Sequence, residues 1–469
     1  MFPVSGWCWV CQAVIVLVSL CPSSPLRARP FIEKSPFITI WNAPTEQCET
    51  HRKTRLDLSL FQLVGSPKKT ATNQAISLFY SDRLGYFPYI DELTGESVNG
   101  GIPQFIPLAH HLKKAAEDIR FYIPVKNQAG LAVIDWEEWR PSWVRNWASK
   151  TIYKKHSVQF VQSKNHTLTP QEAHSVAITE FEAASQFIMR ETLSMAKRLR
   201  PNKQWGFFLF PECYNYDYKW NSKDYTGHCP EIEKKRNDGL GWLWRESTAL
   251  YPSIYLETLL KSSPHAALYT RHRVQEAKRV STVNSESAPL PIYVYTRVVF
   301  TDDPLTFLTQ GDLVNTIGES VALGVSGVVM WGDLSFAKSA RMCRTLEKYL
   351  QHVLNPYIIN VTLAAKMCSQ VLCQGNGACT RKHWNANDYL HLNPKNIFIR
   401  AGRHGKYSVI GHPTMEDFQQ MAKKFECSCY AGHNCHHKGY IHSPPNMNIC
   451  ILDDICITAR PESRRMHRY

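Results

Sequence analysis

Short apolar runs alternate with longer amphipathic stretches through the first 350 residues of the chain. The runs are 38–41 (the centre of FITIW), 76–80 (ISLFY), 120–125 (RFYIPV), 130–136 (GLAVIDW), 205–210 (WGFFLF), 292–300 (IYVYTRVVF) and 327–332 (GVVMWG). They are rich in β-branched and aromatic residues and nearly continuous in hydrophobicity, as strands covered on both faces by helices are. Between them, residues 170–199 predict a helix. Thr169 suits the N-cap, Pro170 the first helical position, and Glu172 completes a capping box. Ile178, Phe181, Phe187, Ile188 and Leu193 then recur at helical spacing. Repeated strand–helix units predict an α/β fold, a distorted TIM-like (β/α) barrel over residues 30–357. Chemistry in such a barrel is expected at the C-terminal strand ends.

Cysteine changes the picture after residue 357. Residues 31–350 hold four cysteines and residues 368–456 hold eight. The spacing Cys368-x4-Cys373-x5-Cys379, then Cys427-x-Cys429-x5-Cys435, resembles an EGF-like module, a scaffold too small to rely on a core. A small disulfide-rich domain is therefore expected over 358–456, followed by a basic tail, 457–469. His433, Cys435, His436 and His437 also crowd together in a way that suits zinc. The compartment argues against that. Residues 12–21 (QAVIVLVSLC) form an apolar run far shorter than the ~20 residues that span a bilayer. It reads as the core of a secretory signal, or of an uncleaved leader, within residues 1–29. Without the leader twelve cysteines remain, an even number that reads as disulfides in a secreted protein. The sequons at Asn165 and Asn360 fit glycosylation there. The polar C-terminal end lacks the hydrophobic tail of a lipid-anchor signal. No metal and no cofactor is expected.

Charge narrows the partner. Lys and Arg number 54 against 40 Asp and Glu, a formal net charge of +14. Such an excess favours a polyanion: nucleic acid, an anionic membrane surface or an acidic polysaccharide. A secreted, disulfide-bonded chain points away from nucleic acid and toward extracellular anionic glycans.

The chemistry is expected where the run 130–136 ends, in Asp135-Trp136-Glu137. Side chains alternate along a strand, so Asp135 and Glu137 share one side and Trp136 takes the other. Two carboxyls about 7 Å apart in a secluded cleft repel each other, which raises one pKa. A raised carboxylic acid suits protonation of a glycosidic oxygen. The alternative is that both carboxylates simply end a strand in solvent. Aromatic residues at or after other strand ends (Phe207, Phe208, Tyr214, Tyr216, Tyr251, Tyr255, Trp331) offer stacking surfaces for sugar rings, although some must be core.

From about Phe37 to Cys456 the chain resembles the hyaluronidases of glycoside hydrolase family 56. The stretches that carry the resemblance are GLAVIDWEEWRP (130–141), FPECYNYDY (210–218), ALYPSIY (249–255), VVMWGD (328–333) and NPYIINVTLAAKMCSQVLC (355–373). The last of these, with YLHLNP (389–394), is most similar to the sperm-surface branch. The resemblance implies an endo-acting hydrolase of β-1,4 N-acetylhexosaminide bonds in hyaluronan, with side activity on chondroitin. Glu137 would be the acid/base and Asp135 would position the acetamido group, whose carbonyl oxygen attacks the anomeric carbon with retention. It also implies a monomer at the sperm surface or in the acrosome.

By the same resemblance Tyr251 and Trp331 line the cleft around the reacting sugar. Arg279 and Glu276 match groove residues, and Arg279 would hold a glucuronate carboxylate or take part in a structural ion pair. Arg140 would support the acid motif more than touch substrate. The implied disulfides are Cys48–Cys343, Cys213–Cys229, Cys368–Cys379, Cys373–Cys427 and Cys429–Cys435, which leaves Cys450–Cys456. Three positions depart from the family: Phe208 and Phe87 stand where Tyr is usual, and Glu212 where Asp is usual. The lost Phe208 hydroxyl opens a second reading, a hyaluronan-binding or adhesion glycoprotein with weak turnover. A purely structural glycoprotein is the third.

Overall fold

The computed structural model describes residues 26–402, 406–435 and 438–460. Seven strands form its centre: β1 (Ile38–Asn42), β2 (Leu63–Gly65), β3 (Ile76–Tyr80), β4 (Gly130–Asp135), β5 (Lys203–Phe207), β6 (Tyr293–Thr296) and β7 (Gly327–Trp331). All their pairings are parallel, in the orders β2-β1-β7-β6 and β3-β4-β5. The segment 250–253 joins the two rows, bridging Leu250 to Ile292, Ser253 to Tyr295 and Tyr251 to Phe208. At the other side β2 and β3 approach so closely that a Cβ on Gly65 would sit 2.6 Å from Ile76 Cγ2.

The alternation of side chains divides the core in two. Ile38, Ile40, Leu78, Leu131, Val133, Tyr251, Tyr293, Tyr295 and Val329 pack together on one side of the strands. Trp41, Phe79, Ala132, Ile134, Trp205, Val328 and Met330 face the helices on the other. Continuing the first row past Val133 leads to Asp135, and continuing the second past Ile134 leads to Trp136. The polar end of β4 is thus aimed by the apolar residues before it.

Two helices show what the pattern predicted well and badly. The expected helix is α2 (Pro170–Leu199), whose Thr169 cap accepts from the Glu172 N–H while Glu172 accepts from Thr169 in return. Phe181, Ile188 and Leu193 are buried on it, but Phe187 is exposed and Met189 takes the inward position. Residues 120–125 are not a strand. They are the end of α1 (Leu108–Tyr122), which stops before Pro124. Ile119, Tyr122 and Ile123 are buried while Phe121 is exposed, so an aromatic, β-branched composition gave way to helical periodicity running in from residue 108.

The expected boundary at 357 falls inside a helix. An unbroken helical run extends from Ala340 through α3 (Asn355–Cys373), crossing that point. Beyond it, β8 (Gly377–Arg381) pairs antiparallel with β9 (Phe425–Tyr430), which also pairs with Leu26–Arg27. A buried cluster ties this region to the strands and helices before it: Glu319 accepts from Arg271 Nε at 2.7 Å and from both terminal nitrogens of Arg381 at 2.8 and 2.9 Å. Among the described residues six disulfides are present, at 48–343, 213–229, 368–379, 373–427, 429–435 and 450–456. Cys435 is therefore bonded to Cys429, and His436 and His437 lie outside the described residues. So do most of the leader, including residues 12–21, and the tail after 460. Among the described residues no helix is long and apolar enough to cross a membrane.

Candidate active site

Asp135 ends β4 on the side of Leu131 and Val133 and is 9 % exposed. Its Oδ1 is buried without a hydrogen-bond partner among the described residues. Burial, and then the neighbouring Glu137 carboxylate, push its pKa well above the usual carboxylate range. Glu137, two residues on, has a side chain 49 % exposed. The two carboxyls therefore sit in unlike surroundings, and the strong desolvation falls on Asp135.

The backbone at Glu137 is held from below. Buried Arg140 donates through one terminal nitrogen to the Glu137 carbonyl at 2.9 Å and lies 3.6 Å from its carboxylate. Lys150 Nζ donates to the carbonyls of Glu137 and Glu138. Arg140 is itself fixed by Glu212, which accepts from its Nε at 3.1 Å, and by Asn146, which accepts from its backbone N–H at 2.8 Å.

Aromatic side chains gather beside Asp135. Trp331, at the end of β7, donates from Nε1 to Tyr80 Oη at 3.1 Å and stacks on Tyr255 with ring centroids 6.2 Å apart and planes 22° apart. Arg297 lies over the Trp331 ring at 5.0 Å and pairs with Asp333 at 3.0 Å. Phe208 meets Tyr295 edge-on at 4.9 Å and Tyr255 at 5.9 Å. Burial raises the phenol pKa values of Tyr80, Tyr255 and Tyr295, and Asp135, whenever it is ionised, raises them further. These hydroxyls stay protonated and can donate to an anionic or carbonyl oxygen. A buried acid, a half-exposed acid and a ring pair at the ends of parallel strands can accept an amide N–H, move a proton and stack a sugar.

Comparison with known proteins shows the family to which the chain belongs. Residues 26–439 match the family model described as Hyaluronidase. The chain belongs to the hyaluronidase family. It is 55 % identical over 446 residues to mouse Hyaluronidase-5, covering 95 % of this chain and 84 % of that one. It is 53 % identical over 445 residues to human Hyaluronidase PH-20, covering 95 % and 86 %. Among solved structures, bee venom hyaluronidase in complex with a hyaluronic acid tetramer matches with a TM-score of 0.61 at 29 % identity, over 69 % of this chain and 98 % of that one. The chain is thus a glycosidase of glycoside hydrolase family 56.

Several residues expected in the hyaluronidase cleft lie elsewhere. Tyr251 is fully buried, and its hydroxyl donates at 2.6 Å to the carbonyl of Gln204, near the start of β5 and away from the Asp135 end. Tyr255, four residues later, is the ring that meets Trp331. Phe87 is also fully buried, stacked on Trp136 at 4.4 Å and Trp139 at 4.9 Å, on the helix side of β4. Glu212 is buried and engages Arg140 instead of facing the cleft. Glu276 is buried, accepting from Asn237 at 2.7 Å and from Arg279 at 2.8 Å. Arg279 also pairs with Asp238 at 2.6 Å, so of its two readings the structure gives the ion pair. Asn165 is exposed, its Oδ1 accepting from Thr167, whereas Asn360 is half-buried within α3 and accepts from the Leu392 N–H. Tyr80, Tyr295 and Arg297 were not singled out. Tyr80 was legible: it ends the run Ile76, Leu78, Tyr80 on the same side as Asp135.

Proposed function

We propose that the protein is an endo-acting hydrolase of β-1,4 N-acetylhexosaminide bonds in hyaluronan, with side activity on chondroitin, built as a distorted (β/α) barrel with an EGF-like C-terminal module and secreted to act at the sperm surface. Glu137 delivers a proton to the glycosidic oxygen. The substrate's acetamido carbonyl oxygen attacks the anomeric carbon from the other face. The C–O bond to the leaving sugar breaks, and a cyclic intermediate forms within the substrate. Asp135 accepts the acetamido N–H and stabilises its developing positive charge. Water then opens the ring, giving back the proton to Glu137 and retaining the anomeric configuration.

The observation that carries this reading is the orphaned Oδ1 of Asp135 beside Glu137. A buried carboxyl with an unused acceptor carries a cost until a donor arrives, and an acetamido N–H is such a donor. In the empty site burial favours a proton on Asp135. Substrate binding stabilises its charged form and frees that proton for Glu137.

The test follows high-molecular-mass hyaluronan by viscosity and product length from pH 4 to 7.5. The wild-type protein is expected to shorten the chains, and Glu137→Gln to slow this by about 10²–10⁴-fold while leaving binding intact. Shortening that survives Glu137→Gln, or products of inverted configuration, would overturn the proposal. A second reading, an adhesion protein with weak turnover, is favoured by Phe208, whose ring lacks the hydroxyl usual there.

A further inference from the structure

The end of the strands opposite Asp135 carries a second concavity. Residues 29–34 lead into the N-terminus of β1, whereas Asp135 and Trp331 close the C-terminal ends of their strands. Because every pairing among these strands is parallel, the two places lie at opposite ends of the row. The cavity measures about 770 Å³ and lies between the Arg29–Lys34 segment, the last turns of α3, Tyr430 and the hairpin residues Asn448–Cys450. That volume is in the range of about 300–1,000 Å³ typical of small-ligand sites.

Its lining is not that of a packing defect. Arg29, Lys34 and Lys366 face a single carboxylate, Glu33, among the lining residues. Among the described residues none of the three cations is paired with a carboxylate. Two of them are held in place by a backbone oxygen. Arg29 Nε donates to the Ala431 carbonyl at 2.9 Å, and Lys366 Nζ to the Cys450 carbonyl at 3.0 Å. Each keeps further N–H groups for a ligand. Gln370, Gln374, Asn376 and Asn448 add paired amide donors and acceptors, and the half-buried Phe31 adds a ring. Fixed cations recognise a carboxylate or sulfate, amides recognise hydroxyl and acetamido groups, and a ring stacks on a pyranose face.

We propose that this cavity is a second binding site, for an acidic glycosaminoglycan segment, remote from Asp135 and Glu137. It does not depend on which residue supplies the proton. Its effect would be to tether a long chain: a polymer held at one end of the molecule raises the effective concentration of its other segments at the cleft. A short oligosaccharide reaches only one site at a time and gains nothing.

The test uses the full chain carrying Glu137→Gln, so that the ligand stays intact. It is titrated calorimetrically at low salt with a hyaluronan hexasaccharide, and separately with a chondroitin sulfate hexasaccharide. A second binding event per chain is expected with at least one of them. The tighter second event identifies whether carboxylate or sulfate is the better ligand. Lys34→Glu, at an exposed side chain with no hydrogen bond among the described residues, should weaken that event by roughly fivefold or more, and Asn448→Trp, which puts a bulky ring into the cavity wall, should weaken it further. In the otherwise wild-type chain, Lys34→Glu should raise KM for long hyaluronan severalfold and leave kcat/KM for the hexasaccharide unchanged. A single binding event with both sugars, or a second one indifferent to both substitutions, would overturn the proposal.

Discussion

Residues 135–139 present two unlike faces to the molecule. On one, Asp135 and Glu137 stand among phenols, Trp331 and Arg140. On the other, Trp136 and Trp139 enclose Phe87 in a stack that excludes water, with Phe207 edge-on to Trp136 at 5.5 Å. The first face carries charge whose cost is lowered by few fixed partners. The second carries none and gains from burial alone. The two carboxyls stand on a rigid base, and the rigidity comes from aromatic packing one residue away in the chain. The two faces should therefore respond to substitution in opposite currencies, the dry one in stability and the wet one in rate.

The largest separation is expected from Phe87→Ala. Removing a fully buried ring sandwiched between two indoles should lower unfolding free energy by about 3–5 kcal/mol. Thermal or denaturant unfolding would register that loss, while kcat at a temperature where the protein stays folded should change little. A large fall in kcat with unchanged stability would mean that Phe87 reaches the cleft after all.

Phe208→Tyr should do the reverse. Phe208 touches Tyr255 and Tyr295 on the wet side, and the Tyr295 hydroxyl is buried without a partner among the described residues. Restoring a hydroxyl there supplies one donor near developing charge, an effect worth up to about 10²-fold in kcat, with the unfolding midpoint nearly constant. If turnover stays flat, the phenols already present suffice and the missing hydroxyl is no handicap.

How far the sequence revealed these faces depends on the regularity of the backbone. Along β4, strict alternation separates Asp135 from Trp136, and a reader of the sequence can assign both. The same alternation should have marked Tyr80. It fails at 249–255, where the chain makes isolated bridges through Leu250, Tyr251 and Ser253 and no continuous strand. Family likeness covered both Tyr251 and Tyr255, and nothing local distinguished the core ring from the cleft ring. Phe87 was misplaced for a related reason: it lies in a loop, where no periodicity says which way a ring points. The Glu276–Arg279 pair was half legible, since three-residue spacing on a helix is itself the signature of an ion pair. The docking of the C-terminal region was not legible at all, because Arg271, Glu319 and Arg381 are far apart in sequence and only the fold makes them a buried cluster.

The smallest effect, and the one that probes the wet face most directly, is the pH dependence of stability. Asp135 holds its proton more tightly folded than unfolded, chiefly through burial. Its contribution is therefore favourable below the ordinary carboxylate pKa of about 3.9 and is lost as pH rises through the raised value. Asp135→Asn removes that penalty. The variant should match the wild type near pH 3.5 and become more stable by of order 1 kcal/mol at pH 7, despite having lost most activity. The opposite trend comes from His111, His272 and His391, each held down to about 4 by burial. Their folded form stays neutral, so their contribution is complete above about 6.5 and is lost as pH falls toward 4. These histidines are unchanged in the variant, so both proteins should share the same acid limb and diverge only on the neutral side. Divergence on the acid side instead would mean that Asp135 is ionised in the empty site, and that the proton used in hydrolysis does not start there.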